Sequence, residues 1–320
     1  MAITITPDDL KKSAVKYRKQ LLLMMTIGLE ASLKHMTPRL GVQYKETIGE
    51  YSGNAQLGPY DPDRTNTTTT IKGRTLEVFL GSVIKKFDPN DVWQSIYGSL
   101  VLHGEGLKNV DITKAVLAAE IKSISEKMNA ALFSASRVNS GTTSAELFNG
   151  FDTITTTEIT GTDISATKKN LYEFASAISN VNAVDLLKTY FRAASDELQS
   201  VPTKMFISKD IYNAYVDDYQ QTVGSVPYNK EFKKTYLEGS DDLCELVALS
   251  NKKNSPYIQL TTKNNMIVGM GAGNSLEKLD VDRFEAFQVT LSMAAVFGVQ
   301  YETISPERLL VGKLYVSQSA

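Results

Sequence analysis

The chain has 320 residues, 42% of them hydrophobic, with 34 basic against 36 acidic side chains and a formal net charge of −2. That is enough apolar material for one large or two moderate domains. The charge balance is too even for a chain-wide attraction to nucleic acid or to an anionic membrane, so any such contact has to be local. A lone cysteine, Cys244, excludes an intrachain disulfide framework and a multi-thiolate metal site, and is expected as a small buried hydrophobe.

The residues after Met1 bring Asp8, Asp9 and scattered lysines before any apolar run, which predicts no secretory leader. The longest apolar run, residues 21–29, is too short to cross a bilayer, so the expected place of the chain is a cytoplasm or something assembled there. Pro7, Asp8 and Asp9 open a helical pattern that runs towards His35 and ends before Pro38 and Gly41. Its first half is basic, with Lys11, Lys12, Lys16, Arg18 and Lys19 close together, either a solvated helix face or a contact for nucleic acid or an acidic partner. Its second half is apolar and suited to docking on another surface.

From residue 42 to 87 the character changes. A weakly alternating QYKETIGEY leads into SGNAQLGPYDPDR, dense in Gly, Pro, Asn and Asp, and then into a threonine-rich, β-branched return. This reads as a two-stranded excursion with an irregular tip, each arm of about 18 residues reaching roughly 60 Å at strand rise. Its outer half has few large apolar residues, and an isolated two-stranded hairpin is marginal in water, so the ribbon needs a partner to lie on. Residues 88–91 form a turn or helix start, and VWQSIYGSLV, with the only tryptophan, Trp93, is expected to pack on the helix that follows.

That helix is the strongest signal in the chain. Over residues 111–134 the apolar positions Ile112, Val116, Leu117, Ile121, Ile124, Met128, Ala131 and Leu132 recur mostly at steps of three and four, with Lys114, Glu120, Lys122, Ser125, Glu126 and Lys127 on other sides. Asp111 is placed as an N-cap acceptor, and the helix would reach roughly 35 Å. Beyond it, residues 153–165 read as polar strands, 166–180 and 182–200 as helices, 203–208 as a buried strand and 209–222 as a helix, followed by a series of strands to the end. Helices set apart from an irregular sheet point to an α+β fold.

Catalytic patterns are scarce. His35 and His103, the only histidines, lie in no metal-ligand or triad-like setting. GMGAGN, with Gly269, Gly271 and Gly273, follows a strand, yet the spacing of a dinucleotide loop fails and no apolar helix follows, which favours a turn. No P-loop pattern occurs, and Asp217-Asp218 and Asp241-Asp242 are adjacent pairs that suit a solvated surface. No catalytic, cofactor-binding or metal-ligating residue is expected, and no enzyme activity.

The order of elements resembles the major capsid protein of tailed bacteriophages and prophages, with the Hong Kong 97 (HK97) type of fold. The matching stretches are MTPRLGVQYKETIGEY into SGNAQLGPYDPDR, VDITKAVLAAEIKSISEKMNAALFSAS with the step from Phe148 to Phe151, PTKMFISKDIYNAYVDDY, and the terminal RFEAFQVTLSMAAVFGVQYETISPERLLV. The resemblance implies an α+β, HK97-like chain divided into an N-terminal arm (1–41), an extended loop (42–87), a peripheral domain with a spine helix (88–145), an axial domain (146–280) and closing peripheral strands (281–320). It further implies a structural protein that self-assembles as pentamers and hexamers into an icosahedral shell around packaged phage DNA. Scaffold and portal proteins would be partners, DNA would be held non-specifically at the inner surface, and neither a membrane nor a cofactor would be involved. Its place would be the virion capsid, assembled in the bacterial host cytoplasm. The loop tip, with Tyr51, Leu57, Pro59, Tyr60 and Arg64, would contact a neighbouring subunit, and Lys11, Lys12, Lys16, Arg18 and Lys19 would make an arm or inner-surface contact. An encapsulin-like nanocompartment shell holding protein cargo shares this architecture and is the alternative; a nucleotide-binding enzyme using GMGAGN is the remote one.

Overall fold

The structure is a computed structural model that describes residues 7–23, 29–53, 59–60, 69–87, 112–223, 235–271, 277–285 and 288–315. The chain divides into two units, the first formed by residues 1–44, 78–153 and 268–299 and the second by residues 45–77, 154–267 and 300–320. Trp93 and its surroundings, Asp111 and His103 lie outside the described residues.

In the first unit, helix α1 (Pro7–Leu23) is followed by a single turn, α2 (Glu30–Leu33), and strand β1 (Thr37–Leu40). The sheet of this unit has the order β1, β9 (Met266–Met270), β11 (Gln288–Tyr301), β10 (Lys278–Glu285), with β4 (Phe79–Phe87) also pairing with β11. Along β11, Val289, Leu291, Met293 and Ala295 are buried at every second position, the period of a strand with one covered face. What covers it is α1, through Ala14 and Leu21, and the long helix α3 (Ile112–Ala131), through Leu117 and Ile121. The sequence places Glu120 on a polar side of that helix, but it is buried and ion-paired with Lys85 of β4. A buried carboxylate is tolerated there because its charge is met.

The end of α3 is fixed by backbone. Gly150 N donates to Ala135 O (2.8 Å) and Asp152 N to Phe133 O (3.0 Å). The approach is so close that a Cβ on Gly150 would lie 2.3 Å from the Phe133 carbonyl oxygen. Phe148 then meets Phe297 edge to face at 4.8 Å between ring centroids, and Phe133 lies 5.7 Å from Phe151.

The second unit holds a mixed sheet of order β5 (Leu171–Glu173), β12 (Leu309–Lys313), β8 (Tyr257–Thr261), β6 (Thr203–Ser208), β7 (Cys244–Leu249). One face is covered by α5 (Ala183–Arg192), whose Ala183, Val184, Leu187, Tyr190 and Phe191 recur at helical spacing, and by α7 (Lys209–Val223); the single turn α6 (Asp196–Gln199) lies between them in sequence. Strand β12, grouped by the sequence with residues 281–320, pairs with β8 and β5 in this sheet.

Three expectations are corrected. Residues 153–165, read as polar strands, begin inside helix α4 (Phe151–Thr160). The threonines that suggest a strand are held in a helix by partners far along the chain: Thr155 bonds the Tyr301 hydroxyl and Thr156 the Tyr257 hydroxyl, each at 3.1 Å. Residues 166–180 form no helix and hold only the short strand β5; Asn170 organises a loop instead, donating to Asp163 O and Ile304 O and accepting from Ser165 N. The return arm of the excursion is also shorter than expected. Pairing runs over β2 (Lys45–Gly53) and β3 (Thr69–Glu77), and the next strand, β4, joins β11 instead.

Gly150→Ala is expected to abolish soluble expression or to lower stability by several kcal/mol, because the clash is with backbone that cannot step aside. Soluble yield and a urea unfolding curve check this; an unchanged midpoint contradicts it.

Candidate assembly surface

Two features of the described surface stand apart from the cores of the units. One is the β2–β3 hairpin of the second unit, closed by nine antiparallel pairs from Lys45↔Glu77 to Gly53↔Thr69. Residues directly opposite share a face, so Ile48 lies beside Arg74 and Glu46 beside Leu76. Ile48 and Leu76 are buried and seat the root of the hairpin in its unit. A polar clamp joins them. Arg74 Nη2 donates to Glu158 Oε1 at 2.5 Å and to Gln300 Oε1 at 3.1 Å, while Gln300 Nε2 donates to Thr75 O at 3.2 Å.

Glu158 lies in the last turn of α4, where the helix dipole disfavours an anion, and the Arg74 guanidinium offsets that. Both side chains are largely shielded, at 16% and 19% exposure, so water screens the pair little. A charge-assisted bond of this kind contributes roughly 1.5–3 kcal/mol. Arg74 Nε, however, is buried without an acceptor among the described residues, which costs about 1–3 kcal/mol, so the clamp directs the root more than it stabilises it.

Of the expected tip contacts, Pro59 and Tyr60 are described and exposed, Tyr60 almost wholly at 96%. Tyr51 is on β2 opposite Ile71, with its side chain outside the description, and Leu57 and Arg64 lie outside the described residues.

The other feature belongs to the first unit. Between β4, α3 and residues 137–147 runs a groove of about 820 Å³. It is lined by apolar Leu80, Ile84, Met128 and Val138 and by basic Lys127 and Arg137. Ile84 is 71% exposed, and Arg137 stacks 3.6 Å above the Phe79 ring. Glu146 faces the same groove; the Thr143 hydroxyl and then the backbone N–H groups of Thr142 and Thr143 hold its carboxyl below the usual range. The sequence reading passed over this surface. Its signal was available: β4 carries apolar residues on both faces, Phe79 and Val83 on one, Leu80 and Ile84 on the other, in a strand with only one face towards a core.

The basic arm divides. Lys11 is ion-paired with Asp282 at 2.7 Å, Lys12 is exposed, and Lys16 Nζ lies 4.7 Å from the Tyr17 ring centroid. Arg18 and Lys19 are on α1, their side chains outside the description. A cation the sequence reading did not group with them, Lys114 of α3, approaches the same ring at 4.6 Å and donates to Gln20 Oε1.

Among the described residues no group of His, Cys, Asp and Glu is arranged to hold a metal ion, and no helix is long and apolar enough to cross a membrane. GMGAGN leads from β9 towards strand β10, and residues 272–276 between them lie outside the described residues. Cys244 is fully buried, as expected, and desolvation pushes its thiol up to about 12. Burial likewise raises Tyr215 to about 12, and raises Tyr190, whose hydroxyl donates to Leu310 O and Ile258 O.

Neither a protein-family model nor any curated protein matches the chain. Solved structures do match over most of its length. The satellite phage P4 procapsid that includes the size determination (Sid) protein aligns at TM-score 0.57 and 11% identity, covering 91% of this chain and 98% of that one. The capsid of a native GTA particle aligns at 0.56 and 12%, covering 89% and 90%. The holo-SrpI encapsulin complex from Synechococcus elongatus PCC 7942 aligns at 0.53 and 10%, covering 90% and 88%. The chain has the α+β, HK97-like fold of phage capsid and encapsulin subunits.

The raised thiol and phenols give the second unit an alkaline limit. An unfolded thiol ionises near pH 8.5 and a phenol near 10, whereas the folded groups keep their protons, so stability present below those values is lost as pH rises towards about 12. The urea midpoint is expected to fall from about pH 8.5 upwards, and Cys244→Ala to flatten the limb below about pH 10. A variant whose midpoint falls as steeply as the parent's over that range contradicts this.

Proposed function

We propose that the chain is a structural shell subunit, the major capsid protein of a tailed phage or prophage, whose copies assemble as pentamers and hexamers into an icosahedral particle around packaged DNA. The observation that carries this reading is the hairpin: on a fold shared with phage capsids, a nine-pair ribbon has its apolar seat only at the root among the described residues. Beyond the root it gains its stabilisation from a neighbouring copy. The tip residues Tyr51, Leu57, Pro59, Tyr60 and Arg64 make that contact, and the groove beside β4 offers exposed apolar surface for a neighbour to cover. Residues 1–41 act as an arm and 45–77 as the extended loop, residues 78–153 with 268–299 form the shell wall, and residues 154–267 with 300–320 form the domain that gathers at the vertices. Lys12 and Lys16, with Arg18 and Lys19, make the arm or inner-surface contact with DNA, whereas Lys11 has Asp282 as a partner. Scaffold and portal proteins complete the particle, assembly takes place in the host cytoplasm, and the chain carries out no catalysis.

An encapsulin-like compartment is the second reading, favoured by the fold it shares with an encapsulin. The contents of purified particles separate the two, nucleic acid supporting the first and a co-purifying protein cargo the second.

Replacing residues 54–64 by a short Gly-containing turn tests the role of the hairpin. The subunit is expected to stay soluble with its unfolding midpoint nearly unchanged, while closed shells disappear, because the lost contact is repeated in every copy. Electron microscopy of sedimented material reads the outcome; intact shells from the shortened chain overturn the reading.

A further inference from the structure

The sheet of the first unit has a margin that nothing in its own unit covers. Among the described residues β4 pairs with β11 alone, and residues 79–85 make no other backbone hydrogen bond. Six consecutive residues of β4, from Leu80 to Lys85, line the groove of about 820 Å³. A strand that meets a cavity with one face contributes alternate residues, so six in a row mean that the groove runs along the strand's edge, where every second N–H and C=O points outward. Edges of this kind are commonly blunted by proline or a bulge. β1, at another margin of the same sheet, carries Pro38, whereas β4 has no proline and keeps its register with β11 unshifted from Phe79 to Phe87. On its uncovered face Leu80 and Ile84 are 56% and 71% exposed, and its two lysines, Lys85 and Lys86, stand together at one end.

We propose that β4 is a self-pairing edge, joining the β4 of a second copy antiparallel across a two-fold axis at Ser82, so that the two sheets become one. The pattern of the strand selects this partner and this register. With Ser82 opposite its own mate, Leu80 lies against the partner's Ile84 and Ile84 against the partner's Leu80, which covers both exposed apolar side chains at once. Moving the axis to Gly81 or Val83 sets one of them against the partner's Ser82 instead. On the other face Val83 comes opposite the partner's Gly81, and the Leu147 side chain that fills the space above Gly81 gives it apolar surface to meet. The lysines favour the antiparallel arrangement. Lys85 falls opposite the partner's Phe79 and roughly 20 Å along the ladder from the partner's Lys85, well beyond the screening length of about 8 Å at physiological salt, whereas a parallel pairing in register sets like charges side by side. Identical chains offer identical edges, so such a contact needs no third component. It is separate from the hairpin contact of the shell reading.

Cysteines placed along β4 read the register. Ser82 is exposed, and Ser82→Cys is expected to give a disulfide-linked dimer as the main product of mild oxidation, because opposed Cα atoms of an antiparallel pair lie about 4.5–5.5 Å apart, within disulfide reach. Leu80→Cys or Ile84→Cys alone is expected to link at least about tenfold more slowly, since each then lies roughly 14 Å from its own mate, while an equimolar mixture of the two links at the Ser82→Cys rate. The parent, whose lone cysteine is fully buried, is the control. Adding Leu80→Lys/Ile84→Lys to Ser82→Cys leaves the fold intact, both side chains being exposed, and is expected to abolish linking by setting lysine against lysine. Non-reducing electrophoresis reads each outcome. Dimers linked at position 82 in a protein that builds no particles uphold the pairing and count against the shell reading alone. Particles that carry no link at position 82 overturn the pairing and leave the shell reading standing, and equal rates from the three single variants overturn the pairing as well.

Discussion

An antiparallel ribbon of two strands bonds only about half of its backbone N–H and C=O groups to itself, the rest facing outward, and has no second layer to bury side chains against. The hairpin of this chain gains such a layer at its root, where Ile48 and Leu76 are covered and Arg74 reaches α4. In the proposed shell, the outer arm takes its second layer from an identical chain, and repetition of one such contact around a closed set of copies gives a closed particle.

The two units hold their cores together by different means. The first relies on period-two burial along β11 beneath two helices, with a buried ion pair from Lys85 to Glu120 on its β4 flank. The second covers one face of a mixed sheet with helices and ties much of its polar interior together with hydrogen bonds. Tyr190 spans to Leu310 and Ile258, the buried Lys252 donates to Gln259 and Ser255, and Asn265 ties β8 to the segment before β12. Networks of that kind favour a single arrangement over alternatives. The proposed shell role, in which the same contact recurs in every copy, calls for such uniqueness more than for added stability.

How far the sequence could be read follows from where each signal originates. The long helix is legible because Leu117, Ile121 and Met128 repeat on a local period, and the strands around Val289 and Leu291 because alternation is local too. Helix α4 is not legible in that way: its threonines favour a strand by propensity, and the hydroxyls that hold it come from Tyr301 and Tyr257, 146 and 101 positions away. Strand β4 looks like the return of the hairpin, since its partner, β11, lies some two hundred residues on. The clamp was hidden for the same reason, Arg74 and Glu158 being 84 positions apart. Tyr60, expected as a contact at the loop tip, is exposed, and the partner of Lys11 is not legible because nothing near it in sequence announces Asp282.

The central claim is that this chain closes on copies of itself. Electron microscopy of the full-length protein, purified without denaturant and fractionated by sedimentation, tests it most directly. Isometric, thin-walled particles with five-fold and six-fold clusters in the wall are the predicted result. A preparation that stays monomeric or forms only small open oligomers at all concentrations and salt conditions that favour association would contradict it.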